Sequence, residues 1–272
     1  MTARLSVNRL CENLGAGSFG RSILFTRETE STNKLAKKLA ASGAAEGTVV
    51  VAGTQTKGRG RLCRKWSSPP GGLWFSVVLR PRMRHSETVG IVFAAGLGVA
   101  QVLRGLWGLE AETKWPNDVL VNGRKICGIL AEARTVNGGI DFVVVGVGIN
   151  ANFEVEKALP KELHDAAASI EGELGKKVSL EALLGAVLGR LEENCRILQK
   201  VGLAPVLAEW KKYAAFLGQE VEVATQTAET RGVAVDVDSE GMLVLELEDG
   251  TRQRIIAGDV SLHVGTEGRR RH

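Results

Sequence analysis

Eight positive charges, Lys57, Arg59, Arg61, Arg64, Lys65, Arg80, Arg82 and Arg84, fall between Gly47 and Ser86, a span with no Asp or Glu. The whole chain carries only +4, so the remainder is net negative and the basicity belongs to one region. Such local imbalance points to an anion site rather than to charge spread for solubility. Its centre, GRGRLCRKWSSPPGGLWFS, sets Trp66, Pro69, Pro70 and Trp74 beside the cations. A solvated hairpin has no use for those rings, whereas a loop folding over an anionic aromatic ligand stacks on Trp66 and pairs its arginines with phosphate or carboxylate. The glycines then serve close approach of backbone to ligand.

A second stretch, KWPNDVLVNGRKICGILAE, places Lys114 before a Trp-Pro turn, which fixes the direction of its ammonium at a sheet edge. Asn117 and Asp118 follow, with oxygens of the kind a phosphate-bound Mg²⁺ accepts. A β-turn with a solvated lysine is the plain alternative.

Other chemistries are disfavoured. Gly58-x-Gly60 runs on to Cys63 where a dinucleotide loop needs a third glycine, and GVGINA is followed by no amphipathic helix, so neither is a Rossmann fingerprint. No GxxxxGK[ST], GxSxG or HExxH occurs, and His85, His164, His263 and His272 form no catalytic pattern. The four cysteines, Cys11, Cys63, Cys127 and Cys195, make neither a zinc pair nor a secreted disulfide framework, which points to the cytoplasm.

The elements that must position these groups read as α+β. RSILFT, TVVVAG and LWFSVVLR are strands, and Leu35, Ala36, Leu39 and Ala40 share one face of a helix behind the ESTN cluster. An apolar helix runs from about Glu87 to Leu106; Gln101 and Arg104 interrupt it short of a membrane span, so it is a buried helix. Asn122-Gly123 and Asn137-Gly138-Gly139 mark hairpins. Strands with both hairpins and intervening helices predict a mixed sheet with packed helices. Residues 159–217 read as helical, and five short runs after Gly218 predict a small all-β barrel. The predicted division is therefore 1–217 and 218–272, the second unit ending in a basic tail and carrying enough strand pattern of its own that the first should fold without it.

In this order, ESTN (30–33), TQTKGRGR (54–61), RKWSSPPGGLWFSVVLRP, KWPNDVL, KICGILAE, GVGIN (146–150) and GDVSL (258–262) resemble the biotin protein ligases, in the monofunctional form without a DNA-binding domain. The resemblance implies a catalytic domain like that of class II aminoacyl-tRNA synthetases with an SH3-like C-terminal barrel. It implies ATP and biotin as substrates with Mg²⁺, and transfer through biotinyl-AMP to a lysine of a biotin carboxyl carrier protein, as in acetyl-CoA carboxylase. Ser31, Thr32, Asn33, Gln55, Gly58, Arg59, Gly60, Arg61, Lys114, Gly128 and Leu130 would then bind biotin, with Ser31, Thr32 and Gln55 on the ureido ring. Arg61, Arg64, Trp66, Lys114, Asn117 and Asn150 would bind ATP, with Trp66 against adenine and Asn150 at its edge. Arg61 and Lys114 would be catalytic, and Asn117 and Asp118 would hold the metal. Two anions, a carboxylate and a triphosphate, must meet, which accounts for the cations.

Cys63 stands where the family commonly has glycine, which matters if that position needs a positive φ, and Trp74 stands where it commonly has tyrosine. A homodimer is compatible with the resemblance. Specific operator binding is not expected, because only some twenty residues precede the first strand. A lipoate-type ligase is the nearest rival, but SPPGGLWFS replaces the RRxSGGGAVYHD-like stretch it would carry. A nucleic-acid-binding protein built on the basic loop is the rival from another class.

Overall fold

The computed structural model describes residues 17–225 and 228–262. Cys11, His263, His272 and the basic tail lie outside them.

A seven-stranded sheet, ordered β1-β2-β3-β7-β6-β5-β4, forms the larger part. Its strands are β1 (Ile23–Thr29), β2 (Val49–Gln55), β3 (Leu73–Leu79), β4 (Ala111–Lys114), β5 (Asp118–Val121), β6 (Arg124–Val136) and β7 (Gly139–Ile149). Only β1 and β2 run parallel, the helix α1 (Thr32–Ala41) crossing between them. Asn122 and Asn137 adopt φ of 51° and 52° ahead of Gly123 and Gly138, the left-handed pairs that a two-residue hairpin turn requires. The mixed sheet expected from sequence is present. The short edge strand β4, which carries Lys114, gave no signal of its own.

Strand alternation distributes the apolar side chains to both faces. Val50, Val78 and Val144 face Ala36 and Ala40 of α1, with Phe142. Their neighbours Val49, Val51, Val77, Leu79, Val143 and Val145 belong to the main core on the other side. There α2 (Val89–Trp107) packs with α5 (Leu180–Val201) and α6 (Leu203–Lys211). By length and composition α2 could cross a membrane, but most of it is buried inside the fold.

The helical reading of 159–217 needs correction. Besides α5 and α6, that stretch contains only the five-residue α4 (Ile170–Leu174) and a 3-10 turn at Lys161–Leu163, after the four-residue α3 (Val155–Ala158). Pro160 removes a donor, and residues 166–168 instead bond to the strand backbone: Lys125 N donates to the Ala166 carbonyl (2.8 Å) and Ala168 N to the Lys125 carbonyl (2.9 Å).

The second sheet is antiparallel, ordered β11-β10-β9-β8-β12, from β8 (Glu220–Ala224), β9 (Glu229–Val237), β10 (Leu243–Glu246), β11 (Arg252–Ile255) and β12 (Asp259–Leu262). Its core is not separate. Val221, Val223, Ala234, Val237, Leu243 and Leu245 belong to the same apolar cluster as Phe93 and Trp115 of the larger part. The buried Trp115 indole donates to the Gly241 carbonyl at 3.0 Å, and Lys211 pairs with Asp236 at 2.6 Å. Residues 1–217 taken alone would therefore lose part of their apolar core.

Candidate active site

A cavity of about 350 Å³ opens over the larger sheet, large enough for a small cofactor. Its walls come from the start of α1, the end of β2, the Gly-rich loop, Phe75 of β3, the β4–β5 turn, β6, β7, the segment from Leu159 to Ala167 and, from the second sheet, β12.

The β2 side is neutral and densely hydrogen-bonded. Ser31 caps α1, its oxygen accepting from Lys34 N. Thr32 N donates to Gln55 Oε1 at 2.8 Å, and Gln55 Nε2 donates to Ser68 Oγ at 2.8 Å. Asn33 Nδ2 donates to the Leu130 carbonyl (3.2 Å) and to Glu132 Oε2 (2.8 Å), while its Oδ1 accepts from Ser76 Oγ (2.6 Å). Ser31, Thr32, Asn33 and Ser76 are all buried. Burying so many polar groups is tolerable only because they satisfy one another or a ligand.

The β4–β6 side carries the charge. Lys114 and Asp118 are partners in the last pair of the β4–β5 hairpin, closed by a cis Trp115-Pro116 peptide. Burial holds the Lys114 ammonium below the ordinary lysine range; Asp118 and Asp259 oppose that shift and Lys125 reinforces it. Among the described residues Lys114 makes no ion pair within 4 Å. Burial likewise lowers the Arg61 pKa.

Asn117 holds the turn in place: its Nδ2 donates to the Ile129 carbonyl (2.8 Å), and its Oδ1 accepts from Arg61 Nη1 (3.3 Å). One lone pair of the Asn117 oxygen is thereby engaged, at the long end of the hydrogen-bond range, and the other remains. Asp118 lies 2.7 Å from Lys125 Nζ, and no cluster of three acidic, His or Cys ligands exists among the described residues. A metal here would rest largely on a ligand's own oxygens, with Asp118 and the Asn117 oxygen as the donors the protein could add.

The loop is built on its own backbone bonds, Gly60 N to the Arg64 carbonyl (2.8 Å) and Trp66 N to the Gly58 carbonyl (2.9 Å). Leu62 and Cys63 both take left-handed φ, 52° and 61°. The positive φ at Cys63 is therefore real, adopted by a residue with a Cβ at some cost in strain. The loop is clasped by the second sheet: Arg61 Nη1 donates to the Gly258 carbonyl (3.3 Å) and Arg64 pairs with Asp259 (2.5 Å).

Gly128 and Gly148 are directly paired across β6 and β7. A Cβ on either would sit 2.8 Å or 2.6 Å from the Trp66 indole, so the glycines are the floor on which that ring lies. GVGIN is thus a strand whose alternate residues face the cavity, Gly146 against Asn33 and Gly148 against Trp66. The indole stands edge-on to Trp74, and its buried N–H has no acceptor among the described residues.

Of the residues singled out from sequence, Ser31, Thr32, Asn33, Gln55, Arg59, Gly60, Arg61 and Arg64 line this cavity, as do Trp66, Lys114, Asn117, Asp118, Gly128, Leu130 and Asn150. Gly58 does not; it lies beneath the loop, where a Cβ would meet the Trp66 carbonyl at 2.4 Å. Asn150 donates its amide to the Ala168 (2.9 Å) and Lys125 (3.4 Å) carbonyls, so its Oδ1 is the atom left to meet a ligand.

Sequence reading gave no role to Lys125, whose Nζ is 5.2 Å from the Trp66 ring centre and paired with Asp118. It also gave none to Asp259, Ser76 or Glu132. Lys125 lies within KICGILAE and Asp259 within GDVSL, so the motifs were visible, but which of their side chains face the cavity depends on strand register.

Comparison with known proteins accords with this site. Residues 25–150 match the biotin/lipoate A/B protein ligase family and residues 216–263 the biotin protein ligase C-terminal domain. The chain is 34% identical over 260 residues to a bifunctional ligase/repressor BirA of Bacillus spizizenii, covering 95% of this chain and 79% of that one. It is 35% identical to a biotin:acetyl-CoA-carboxylase ligase of Paracoccus denitrificans, covering 85% and 97%. A biotin protein ligase from Aquifex aeolicus, solved with biotin and ATP, superposes with a TM-score of 0.76 at 30% identity, covering 89% and 98%. With both matched segments falling on the two sheets that enclose the cavity, the chain belongs to the biotin/lipoate A/B protein ligase family.

Proposed function

We propose that the chain is an ATP-dependent ligase that activates biotin as biotinyl-5′-AMP and transfers it to a lysine of a biotin carboxyl carrier protein, such as that of an acetyl-CoA carboxylase. The observation that carries this is one cavity with two chemistries. Neutral paired hydrogen-bonding groups, Ser31, Thr32 and Gln55, lie at the β2 side, and the cations Arg61, Arg64, Lys114 and Lys125 lie toward β4–β6 and the loop. A ureido ring needs the first and a carboxylate facing a triphosphate needs the second.

In the first step a biotin carboxylate oxygen attacks the α-phosphorus and pyrophosphate departs. Lys114, held without an ion-pair partner, and Arg61 offset the repulsion between the two anions, and Lys125 joins them from β6. Trp66 lies beside adenine and the Asn150 oxygen accepts from the exocyclic amine. A Mg²⁺ ion carried by the triphosphate beside Asp118 would supply further charge neutralisation. In the second step the carrier's lysine amine attacks the acyl carbon, loses a proton, and AMP leaves. The clasp of Arg61 and Arg64 on β12 keeps the adenylate from water until then. The free thiols of Cys63, Cys127 and Cys195 suit a cytoplasmic setting.

Pyrophosphate release tests the reading. It should depend on biotin, and lipoate should not replace it; release with lipoate alone would overturn the choice of substrate.

A further inference from the structure

Glu132 lies outside the cavity lining, yet it is bonded on both sides: Oε1 to Lys37 Nζ at 2.5 Å and Oε2 to Asn33 Nδ2 at 2.8 Å. We propose that Glu132 is a positioning residue that sets, through Asn33 and Ser76, which way the Thr32 hydroxyl points, and so the hydrogen-bond polarity met by the ureido ring. The proposal rests on the biotin reading above.

Proton count fixes each orientation in turn. A carboxylate accepts and cannot donate, and so does the Leu130 carbonyl. Both touch the same terminal atom of Asn33, which must therefore be its NH₂. The Asn33 oxygen then faces Ser76 at 2.6 Å and accepts, so the single Ser76 proton is committed to it. Ser76 is fully buried and its oxygen lies 2.8 Å from the Thr32 hydroxyl oxygen. That contact needs a proton, which Thr32 must supply. The alternative acceptor, Gln55 Oε1, is farther at 3.1 Å and already takes the Thr32 backbone N–H at 2.8 Å.

With its proton turned toward Ser76, Thr32 shows lone pairs to the cavity and accepts a ring N–H. Ser31, whose oxygen is engaged by Lys34 N at the α1 cap, keeps its own proton for the ring carbonyl. The order of donor and acceptor across the ligand thus originates at an ion pair on the far side of Asn33. Lys37 holds the carboxylate in place, and Gly146 leaves room for Asn33, since a Cβ there would lie 2.1 Å from Asn33 Oδ1.

Glu132→Gln preserves shape but turns its oxygen to Lys37 and its NH₂ to Asn33, so that only the longer contact to the Leu130 carbonyl (3.2 Å) still favours the native Asn33 orientation and inversion becomes accessible. Biotin-dependent ATP–pyrophosphate exchange in this variant should show KM for biotin raised roughly tenfold, as for loss of one hydrogen bond worth about 1.4 kcal/mol. KM for ATP, kcat and the thermal midpoint should hold. Biotin methylated on the ureido nitrogens gives the second arm. Its penalty should be smaller in the variant than in the wild type, because both changes remove the same bond. Equal penalties, an unchanged KM for biotin, or a parallel rise in both KM values would overturn the relay. A wild-type chain without biotin-dependent exchange would instead overturn the proposed function, and the relay with it.

Discussion

Lys114 is the residue whose surroundings most directly favour anion chemistry. Its charge is held in a partly desolvated wall without a counter-ion bond, so an incoming carboxylate and phosphate meet an ammonium with few competing partners. Lys114→Ala should lower the adenylation rate by about 10²-fold with the fold intact, read by pyrophosphate exchange and circular dichroism. The same burial predicts a pH effect. A lysine whose charged form is disfavoured loses its proton below the usual lysine range, so kcat/KM for adenylation should fall on the alkaline side earlier than an exposed lysine would allow. In Lys114→Arg the fall should move to higher pH; an unmoved alkaline limb would assign it to another group. Arg61 has a second task besides offsetting charge, because its bonds to Asn117 and to the Gly258 carbonyl tie loop, turn and second sheet together, while Lys114 and Arg64 remain to offset charge without it. Arg61→Gly should still form the adenylate but release it. Incubated with biotin, ATP and an unrelated lysine-rich protein, the variant should biotinylate that bystander while the wild type does not.

At the scale of elements, the β6–β7 ladder and the Gly-rich loop are one device. The strands supply a floor without side chains at Gly128 and Gly148, and the loop lays Trp66 upon it. Gly148→Ala inserts a Cβ 2.6 Å from the indole nitrogen, between two paired strands that cannot part, so the ring must lift. KM for ATP should rise roughly tenfold while KM for biotin, whose proposed place is nearer α1 and β2, stays within about twofold. Equal effects on both substrates would place adenine elsewhere. The β4–β5 turn is bifunctional in the same way: Lys114 and Asp118 face the cavity while the Trp115 indole, between them in sequence, is bonded to Gly241 of the second sheet.

For the whole molecule, the shared core means that the second sheet supports both stability and site. Truncation after Leu217 would strip Phe93 and Trp115 of the Gly241 turn and remove Asp259 from Arg64. Exposing two large aromatics costs about 1.5–3 kcal/mol each, against a total stability of about 5–15 kcal/mol for a typical domain. Residues 1–217 alone should therefore be recovered largely as aggregate, or melt well below the full chain in a thermal scan. A soluble fragment with full adenylation activity would show that the two sheets are independent.

The sequence by itself determined a good deal about this protein. Apart from the edge strand β4 and the irregular stretch before α5, strand and helix positions followed from apolar periodicity, the two hairpins from Asn-Gly pairs, and the cationic wall of the cavity from a run of cations without acids, because each is a local property of consecutive residues. The motifs also named nearly every residue that lines the cavity. Tertiary structure alone decided which side chain of each motif faces inward, since a single step of register reverses a strand. It brought Lys125 to Asp118, moved Gly58 beneath the loop, and left Asn117 bonded to Arg61 and Ile129. It decided, too, that Asp259, some two hundred residues from Arg64, closes the site. Pairings across that distance are set by the packing of two sheets into one core, and no window of sequence contains both partners.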